Sequence, residues 1–179
     1  MNARTLCLAV LFFGEASGYE IRKLSTDGQF SYFVDASFGA IYPALNKLES
    51  DGLIAGRLES QTGKPAKKMY AITDSGRAAF LEALTHPPAP DVFRSEFLLI
   101  AMCVDLQPRD VIRRAIDTRF AQLQAEIDQL QTIAVDCDHP GTRWVVDYGI
   151  TCMTASLRYL EDNRASLEAL AAPAAAAAE

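Results

Sequence analysis

The sequence predicts a mainly α-helical protein in which a winged helix-turn-helix domain with a two-stranded wing precedes an α-helical dimerisation domain. Two observations predict this class. The first 85 residues contain three helical segments, two short strand-like segments and a fourth helical segment, in that order. After a proline-rich segment, the apolar residues recur only at helical spacing. We therefore expect domains at residues 1–85 and 91–170, a linker at 86–90 and an alanine-rich tail at 171–179.

The first two helices are indicated by an apolar run and a capping pattern. The run Thr5–Phe13 ends at Gly14. It is too short for a typical signal peptide and no convincing cleavage site follows it, so we expect a core helix. Ser17 with Glu20 three residues later forms a capping box, which predicts the start of a second helix.

The third helix is predicted from one buried face. Ile41, Leu45 and Leu48 recur at spacings of four and three, which is typical of a helix packed on a core. Pro43 is tolerated only in the first turn, so regular helix should begin near Gly39 or Ala40. Ser37 offers an N-cap just before it.

A basic hairpin and a fourth helix follow. Leu53–Leu58 and Lys68–Ile72 are predicted strands, and the polar segment Glu59–Lys67 between them is predicted as a loop. Thr73–Gly76 should begin the fourth helix. The chain has a net charge of −6, but the first 85 residues carry nine basic and nine acidic side chains. The acidic surplus therefore lies in the second part, and a basic wing remains able to meet phosphate.

The second part consists of helical stripes. Long helices are predicted from Pro108 and again after the break at Asp138–Gly141. The last helix has a heptad pattern from Val146 to Leu167, with Arg164 at one skipped position. Two such long helices cannot cover each other's apolar faces in so small a domain, so we expect a homodimer.

The third helix and the hairpin together indicate DNA binding. A helix fits the major groove and reads base edges with its exposed face, while cations on a hairpin reach phosphate. The exposed face offers Tyr42, Asn46 and Glu49, with Lys47 and Ser37 nearby. The hairpin offers Lys64, Lys67 and Lys68. Tyr42 and Tyr19 could instead pack within the domain, and one of Lys67 and Lys68 could point along the sheet.

Catalytic and metal chemistry are not indicated. The sequence has no glycine-rich phosphate loop, nucleophile elbow or HExxH motif. Its four cysteines are scattered without a CxxC, which is typical of reduced thiols in a cytoplasmic protein. Cys137, Asp138 and His139 are adjacent in sequence and cannot converge on one ion without further ligands. We expect no enzyme activity, no metal and no cofactor.

Three stretches resemble markers of the PadR family of transcriptional regulators. They are Gly18–Ile21, Ser37–Ile54 and Gly63–Gly76. They occur in the order and at the spacing typical of the family, and the resemblance covers residues 5–85. The helical remainder is similar in pattern to the C-terminal domain of longer PadR-like proteins, which resemble virulence-gene regulators. The sequence departs from the residues usual in the family at two positions, with Lys64 in place of an arginine and Met69 in place of an aromatic residue.

The resemblance implies a homodimeric regulator of transcription. A symmetric dimer would bind a pseudo-palindromic double-stranded operator, and binding near a promoter would most simply repress transcription. The resemblance also implies that residues of the recognition helix, the helix before it and the wing approach DNA: Tyr19, Ser37, Tyr42, Asn46, Lys47, Lys64, Lys67 and Lys68. Four aromatic residues could line a small-molecule effector pocket between subunits, although core packing is the simpler interpretation: Phe93, Phe97, Trp144 and Tyr148. The alternative function is a winged-helix protein–protein interaction module.

Overall fold

A computed structural model of the chain describes residues 2–26, 28, 30, 32–33, 38–61, 64–135 and 137–173, with residues 38, 61, 64 and 65 described by their backbone alone. The chain divides into two compact units, Met1–Asp91 and Val92–Glu179. Each unit is built around its own helices. No helix in the described ranges is long and apolar enough to cross a membrane.

The first unit has the order expected of a winged helix. Its elements are α1 (Ala3–Phe13), β1 (Ala16–Ser17), α2 (Gly18–Thr26), a 3-10 turn (Phe38–Ala40), α3 (Ile41–Ser50), β2 (Ile54–Gln61), β3 (Lys64–Ile72) and α4 (Asp74–Leu84). The strands form one antiparallel sheet in the order β1-β3-β2.

The core of this unit lies where α1, α2 and α3 meet. Leu6, Ile21, Ile41 and Leu45 are at most 1% exposed, so all three helices bury apolar side chains here and the stripe of α3 faces inward as predicted. Cys7 is also fully buried, and burial raises the pKa of its thiol to about 12. The thiol therefore stays protonated and acts as a small apolar group.

The start of α3 follows from Pro43. The 3-10 turn at Phe38–Ala40 leads into regular helix at Ile41, which places Pro43 in the first turn, where its missing N–H costs no hydrogen bond. The helix ends before Gly52, whose φ of +70° fits a glycine, and Leu53 N donates to Leu48 O at 2.9 Å.

The wing strands are longer than predicted. The ladder between β2 and β3 continues through Glu59 opposite Lys67 to Gln61 opposite Lys64, so much of the predicted loop is strand. Both strands are polar there, and a strand without an alternating apolar face gives no period-2 signal. The third strand, β1, pairs Ala16 with Tyr70 and Ser17 with Met69. Two residues are too few for a sequence pattern to predict it.

The second unit is a long helical hairpin with a short helix before it. It contains α5 (Glu96–Met102), a 3-10 turn (Val104–Leu106), α6 (Arg109–Val135) and α7 (Pro140–Ala169). The long helix predicted from Pro108 is α6, and five apolar residues of one stripe are buried in it: Ile112, Ile116, Leu123, Ile127 and Leu130. After the break between the two long helices, His139 caps the start of α7, where its Nδ1 accepts a hydrogen bond from Thr142 N. Pro140 lies in the first turn of α7.

The predicted tail is ordered at its beginning. Ala172 N donates to Gln107 O at 3.0 Å, and Ala172 forms a bridge with Pro108. This pairing ties the segment after α7 to the start of α6. Residues 174–179 of the predicted tail lie outside the described residues.

Candidate nucleic-acid interface

The capping box fixes the start of α2 beside the sheet. Glu20 Oε2 accepts from Ser17 N at 2.8 Å and from the Ser17 hydroxyl at 2.7 Å, and Glu20 N is 3.3 Å from Ser17 Oγ. The Glu20 pKa is lowered to about 2, and the largest cause is the hydrogen bond from the Ser17 hydroxyl. The hydrogen bond from the Ser17 backbone amide comes next, followed by Lys67. Glu20 is therefore a carboxylate at every physiological pH.

The outer face of α3 presents Tyr42 and Asn46. Both are exposed, and the Asn46 amide has no hydrogen-bond partner among the described residues. Lys47 is also exposed, but its ammonium lies 2.8 Å from Asp51, which also binds Arg4 of α1 at 2.8 Å. Lys47 thus belongs to a small ion cluster at the end of α3, while Asn46 is unengaged.

Tyr19 and Tyr42 bring α2 and α3 together at the surface. Tyr19 is 58% exposed, with the Arg22 guanidinium 5.0 Å from its ring centre. A Cβ on Gly18 would lie 3.0 Å from Cε1 of Tyr42, so the glycine permits this close approach. Neither tyrosine is a core residue.

The wing lysines are held by carboxylates from the two helices. Lys67 lies 3.2 Å from Glu20 of α2, and Lys68 lies 2.7 Å from Glu49 of α3. The Lys68 ammonium also lies 5.1 Å from the centre of the Tyr70 ring. The hydrogen bond to Glu49 is the largest cause of a raised Lys68 pKa.

An open cleft of about 380 Å³ joins these parts, lined by Ser17, Gly18, Tyr19, Glu20, Tyr42, Lys67, Lys68 and Tyr70. It brings together four of the predicted DNA-binding residues, Tyr19, Tyr42, Lys67 and Lys68. Asn46 and Lys47 lie on the same helix as Tyr42 but do not line the cleft. Ser37 lies outside the described residues, and Lys64 is described by its backbone alone.

Sequence reasoning did not anticipate that carboxylates would engage the wing lysines. The sequence predicts only a capping role for Glu20 and only a place on the exposed face of α3 for Glu49. One signal was available, because nine acids accompany nine bases in residues 1–85, so few cations there can lack an acidic neighbour. Which acid meets which base depends on the fold.

The four predicted effector-pocket aromatics do not meet within one chain. Trp144 and Tyr148 stack with ring centres 5.7 Å apart near the start of α7. Phe97 packs on Val104, Ile112 and Ile116, as does Leu167 near the end of α7. Trp144 precedes Leu167 by 23 residues, or about 35 Å of helix. Phe93 is 77% exposed. A pocket formed by all four requires a second subunit.

Metal ligands do not gather in the described parts of the chain. No group of three or more histidine, cysteine, aspartate or glutamate side chains there is arranged to hold an ion. Of the adjacent Cys137, Asp138 and His139, the histidine serves as the N-cap of α7.

Comparison with known proteins gives consistent matches. The family described as "Transcriptional regulator PadR-like family" matches residues 7–82. The negative transcriptional regulator PadR of Bacillus subtilis is 34% identical over 125 residues, which are 69% of this chain and 68% of that protein. The PadR-like regulator BC1756 of Bacillus cereus is 33% identical with a TM-score of 0.78, covering 95% of this chain and 96% of that one. The structure of B. subtilis PadR in complex with operator DNA matches at 28% identity and a TM-score of 0.74, covering 92% of this chain and 98% of that one.

Proposed function

The chain belongs to the PadR-like family of transcriptional regulators, and from this premise we propose that it is a homodimeric repressor of transcription, bound to a pseudo-palindromic operator through α3 and the wing. One observation carries the proposal: exposed tyrosines of α2 and α3 and two wing lysines line a single open cleft. Its relatives are regulators rather than enzymes. We assign DNA binding to residues 1–85 and dimerisation to residues 91–170.

In the proposed complex, α3 enters the major groove with Tyr42 and Asn46 toward the bases. An asparagine amide pairs with adenine through two hydrogen bonds, and Asn46 is free to do so. The wing lysines Lys67 and Lys68, with Lys64 near the hairpin turn, bind phosphate. Lys47 makes at most a backbone contact, because Asp51 holds its ammonium.

Dimerisation is supported by apolar surface that one chain leaves uncovered. The helix α5 has no buried residue although most of its side chains are apolar. Leu99 is 59% and Met102 73% exposed, and Trp144 of α7 is 68% exposed. A second copy of the chain would cover such surfaces and present two α3 helices to one duplex. The half-sites would lie about one helical turn, or a small multiple, apart.

Repression and its relief are proposed from the relatives. The B. subtilis relative is a negative regulator, and it has been solved both with operator DNA and with p-coumaric acid. We infer that this protein likewise represses in the cytoplasm by occupying its operator. A small-molecule effector would release it by favouring a dimer with a different spacing of its wings. Phe93, Phe97, Trp144 and Tyr148 would line that pocket between subunits.

The test is DNA binding by a variant with three substitutions, Tyr42→Ala, Lys67→Ala and Lys68→Ala. Fluorescence anisotropy with a duplex from the chain's own promoter region should show at least a tenfold loss of affinity, because two phosphate contacts and one groove contact disappear. The slope of log affinity against log salt should become shallower by at most about two, because each lysine can release up to about 0.9 cation from the duplex.

The control is Arg114→Ala, which removes a cation of the second unit whose pair with Asp110 is exposed. It should leave affinity unchanged. If the triple variant is folded and binds as tightly as the wild type, the site is wrong. If wild-type binding does not depend on salt, the interaction-module alternative replaces the regulator at this surface.

A further inference from the structure

Two of the cations expected to meet DNA phosphate, Lys67 and Lys68, are already engaged by acids of the same domain. Glu20 of α2 holds Lys67, and Glu49 of α3 holds Lys68. In both pairs the acid belongs to a helix of the helix-turn-helix and the base to the wing. Each pair therefore has almost no net charge, so the wing attracts a duplex less than its lysines suggest.

Glu49 is placed where a carboxylate opposes DNA. It lies three residues after Asn46 and seven after Tyr42, so the three share one stripe of α3. The pair is accessible, with the Lys68 side chain 42% and the Glu49 side chain 31% exposed. A phosphate approaching Lys68 is repelled by Glu49 until it takes the place of that carboxylate.

The strand β2 leaves room for the ion pair between Glu49 and Lys68. A Cβ on Gly56 of β2 would lie 2.4 Å from Glu49 Oε1 and 2.4 Å from Lys68 Cε. Only a residue without a side chain lets the two side chains close over the strand in this way. Lys68 also lies beside the face of Tyr70, so the ammonium is fixed from two sides.

We propose that Glu49, with Glu20 in support, is a specificity-determining residue that occupies the wing lysines in the free protein and suppresses binding to DNA of arbitrary sequence. This inference rests on the proposed function. Phosphate displaces the carboxylate only where contacts from Tyr42 and Asn46 to the correct bases compensate for the broken ion pair. The acids thereby weaken binding to random sequence more than binding to the operator.

The salt dependence distinguishes exchange from permanent pairing. A lysine that neutralises a phosphate releases about 0.9 cation from B-DNA. In the wild type, the Glu49 carboxylate left behind attracts a cation again and offsets that release. In Glu49→Gln no carboxylate is left behind to take up a cation, so the slope of log affinity against log salt should steepen by up to about one.

The experiment compares the full-length wild type with Glu49→Gln by anisotropy on two 30-base-pair duplexes, one random and one that the wild type selects from a random library. We expect Glu49→Gln to bind the random duplex about three- to tenfold more tightly, with a steeper salt slope. The ratio of operator to random affinity should fall. Glutamine preserves the size of the side chain, and thermal unfolding checks that the fold is intact.

Two controls isolate the ion pair. Glu15→Gln removes an acid that pairs with Arg57 of the same wing but does not line the cleft, so it should change random-duplex affinity little. In a Lys68→Gln background, the gain from Glu49→Gln should be smaller than in the wild type, because no ion pair remains to be broken and only the repulsion between Glu49 and phosphate is relieved. Glu20→Gln, which keeps an oxygen for the Ser17 cap, should tighten random binding in the same direction.

The outcomes are separable. If the wild type binds DNA with a salt-dependent affinity but Glu49→Gln leaves random-duplex affinity unchanged or lower, the inference is wrong and the proposed function stands. An equal gain in the Lys68→Gln background also overturns it, since the effect would then be general repulsion. If the wild type binds neither duplex, the proposed function itself fails.

Discussion

Gly76 and Gly56 meet very different neighbours, although both lie in or beside the sheet. A Cβ on Gly76 would lie 2.0 Å from the backbone oxygen of Leu53, which cannot move without disturbing the turn after α3. A Cβ on Gly56 would meet only the flexible ends of Glu49 and Lys68. The same substitution should therefore destabilise the fold much more at Gly76 than at Gly56.

We expect Gly76→Ala to lower the free energy of unfolding by about 1–3 kcal/mol or more, as overpacking against fixed atoms does. Gly56→Ala should change it by less than about 1 kcal/mol, because alanine suits a strand better than glycine and the clashing ends can turn away. It should separate Lys68 from Glu49 and return the Lys68 pKa toward its ordinary value. Urea denaturation measures the first effect and NMR titration of the lysine measures the second. Equal destabilisation by the two changes would contradict the steric account.

These residues also mark what sequence can predict at this scale. At Gly52 a local pattern is sufficient, because a glycine directly after a helical stripe is a common C-cap, and the φ of +70° at Gly52 agrees with that role. The requirement at Gly76 and the accommodation at Gly56 come from atoms far away in the chain, which no local pattern contains. The same is true of the Lys68–Glu49 pair.

Among the elements, α2 depends on an ionised cap. The Glu20 pKa of about 2 lies below the ordinary value of 4.5, mainly because the Ser17 hydroxyl and amide donate to the carboxylate. A carboxylate with a depressed pKa stabilises the fold at pH above its unfolded value, and this contribution is lost as the pH falls toward the folded pKa. The window is therefore about pH 4.5 to 2.

We expect the stability difference between the wild type and Glu20→Gln to narrow as the pH falls through that window. Urea denaturation of both proteins at several pH values measures it. In a Ser17→Ala background the narrowing should be smaller, because the largest cause of the lowered pKa has been removed. A difference that stays constant from pH 5 to pH 2 would show that the cap does not depend on ionised Glu20.

The helix α7 shows where an element could be predicted and where its contacts could not. Its heptad pattern predicted a packed helix and marked Arg164 as the exception. In the structure Arg164 binds Asp117 of α6 at 2.7 Å and Glu168 at 3.0 Å, and Glu168 is only 9% exposed. The skipped position is thus an ion cluster that joins the two long helices. The pattern indicated the position, but the partners required the fold.

Across the whole molecule, the net charge is unevenly divided along the chain. The acidic surplus of the chain lies in residues 86–179, and the first 85 residues are neutral. For the DNA-binding role that we propose for residues 1–85, their neutral net charge and the internal pairing of Lys67 and Lys68 imply weak binding by one chain alone. Strong operator binding then requires the DNA-binding residues of two chains to act together, because linking two binding events raises the overall affinity without new contacts.

The last prediction tests that requirement. In the second unit, Leu99 and Met102 are exposed on α5, and Leu99→Glu with Met102→Glu would place two charges where we expect a second copy to pack. Burying unpaired charges is strongly unfavourable, so sedimentation equilibrium should show a monomer at concentrations where the wild type is a dimer. Operator affinity should fall by at least tenfold, while binding to random DNA per unit changes little. Leu81→Glu is the matched control, since Leu81 is 53% exposed on α4 of the first unit and should leave the dimer intact. A double variant that still sediments as a dimer would show that α5 is not part of the dimer interface.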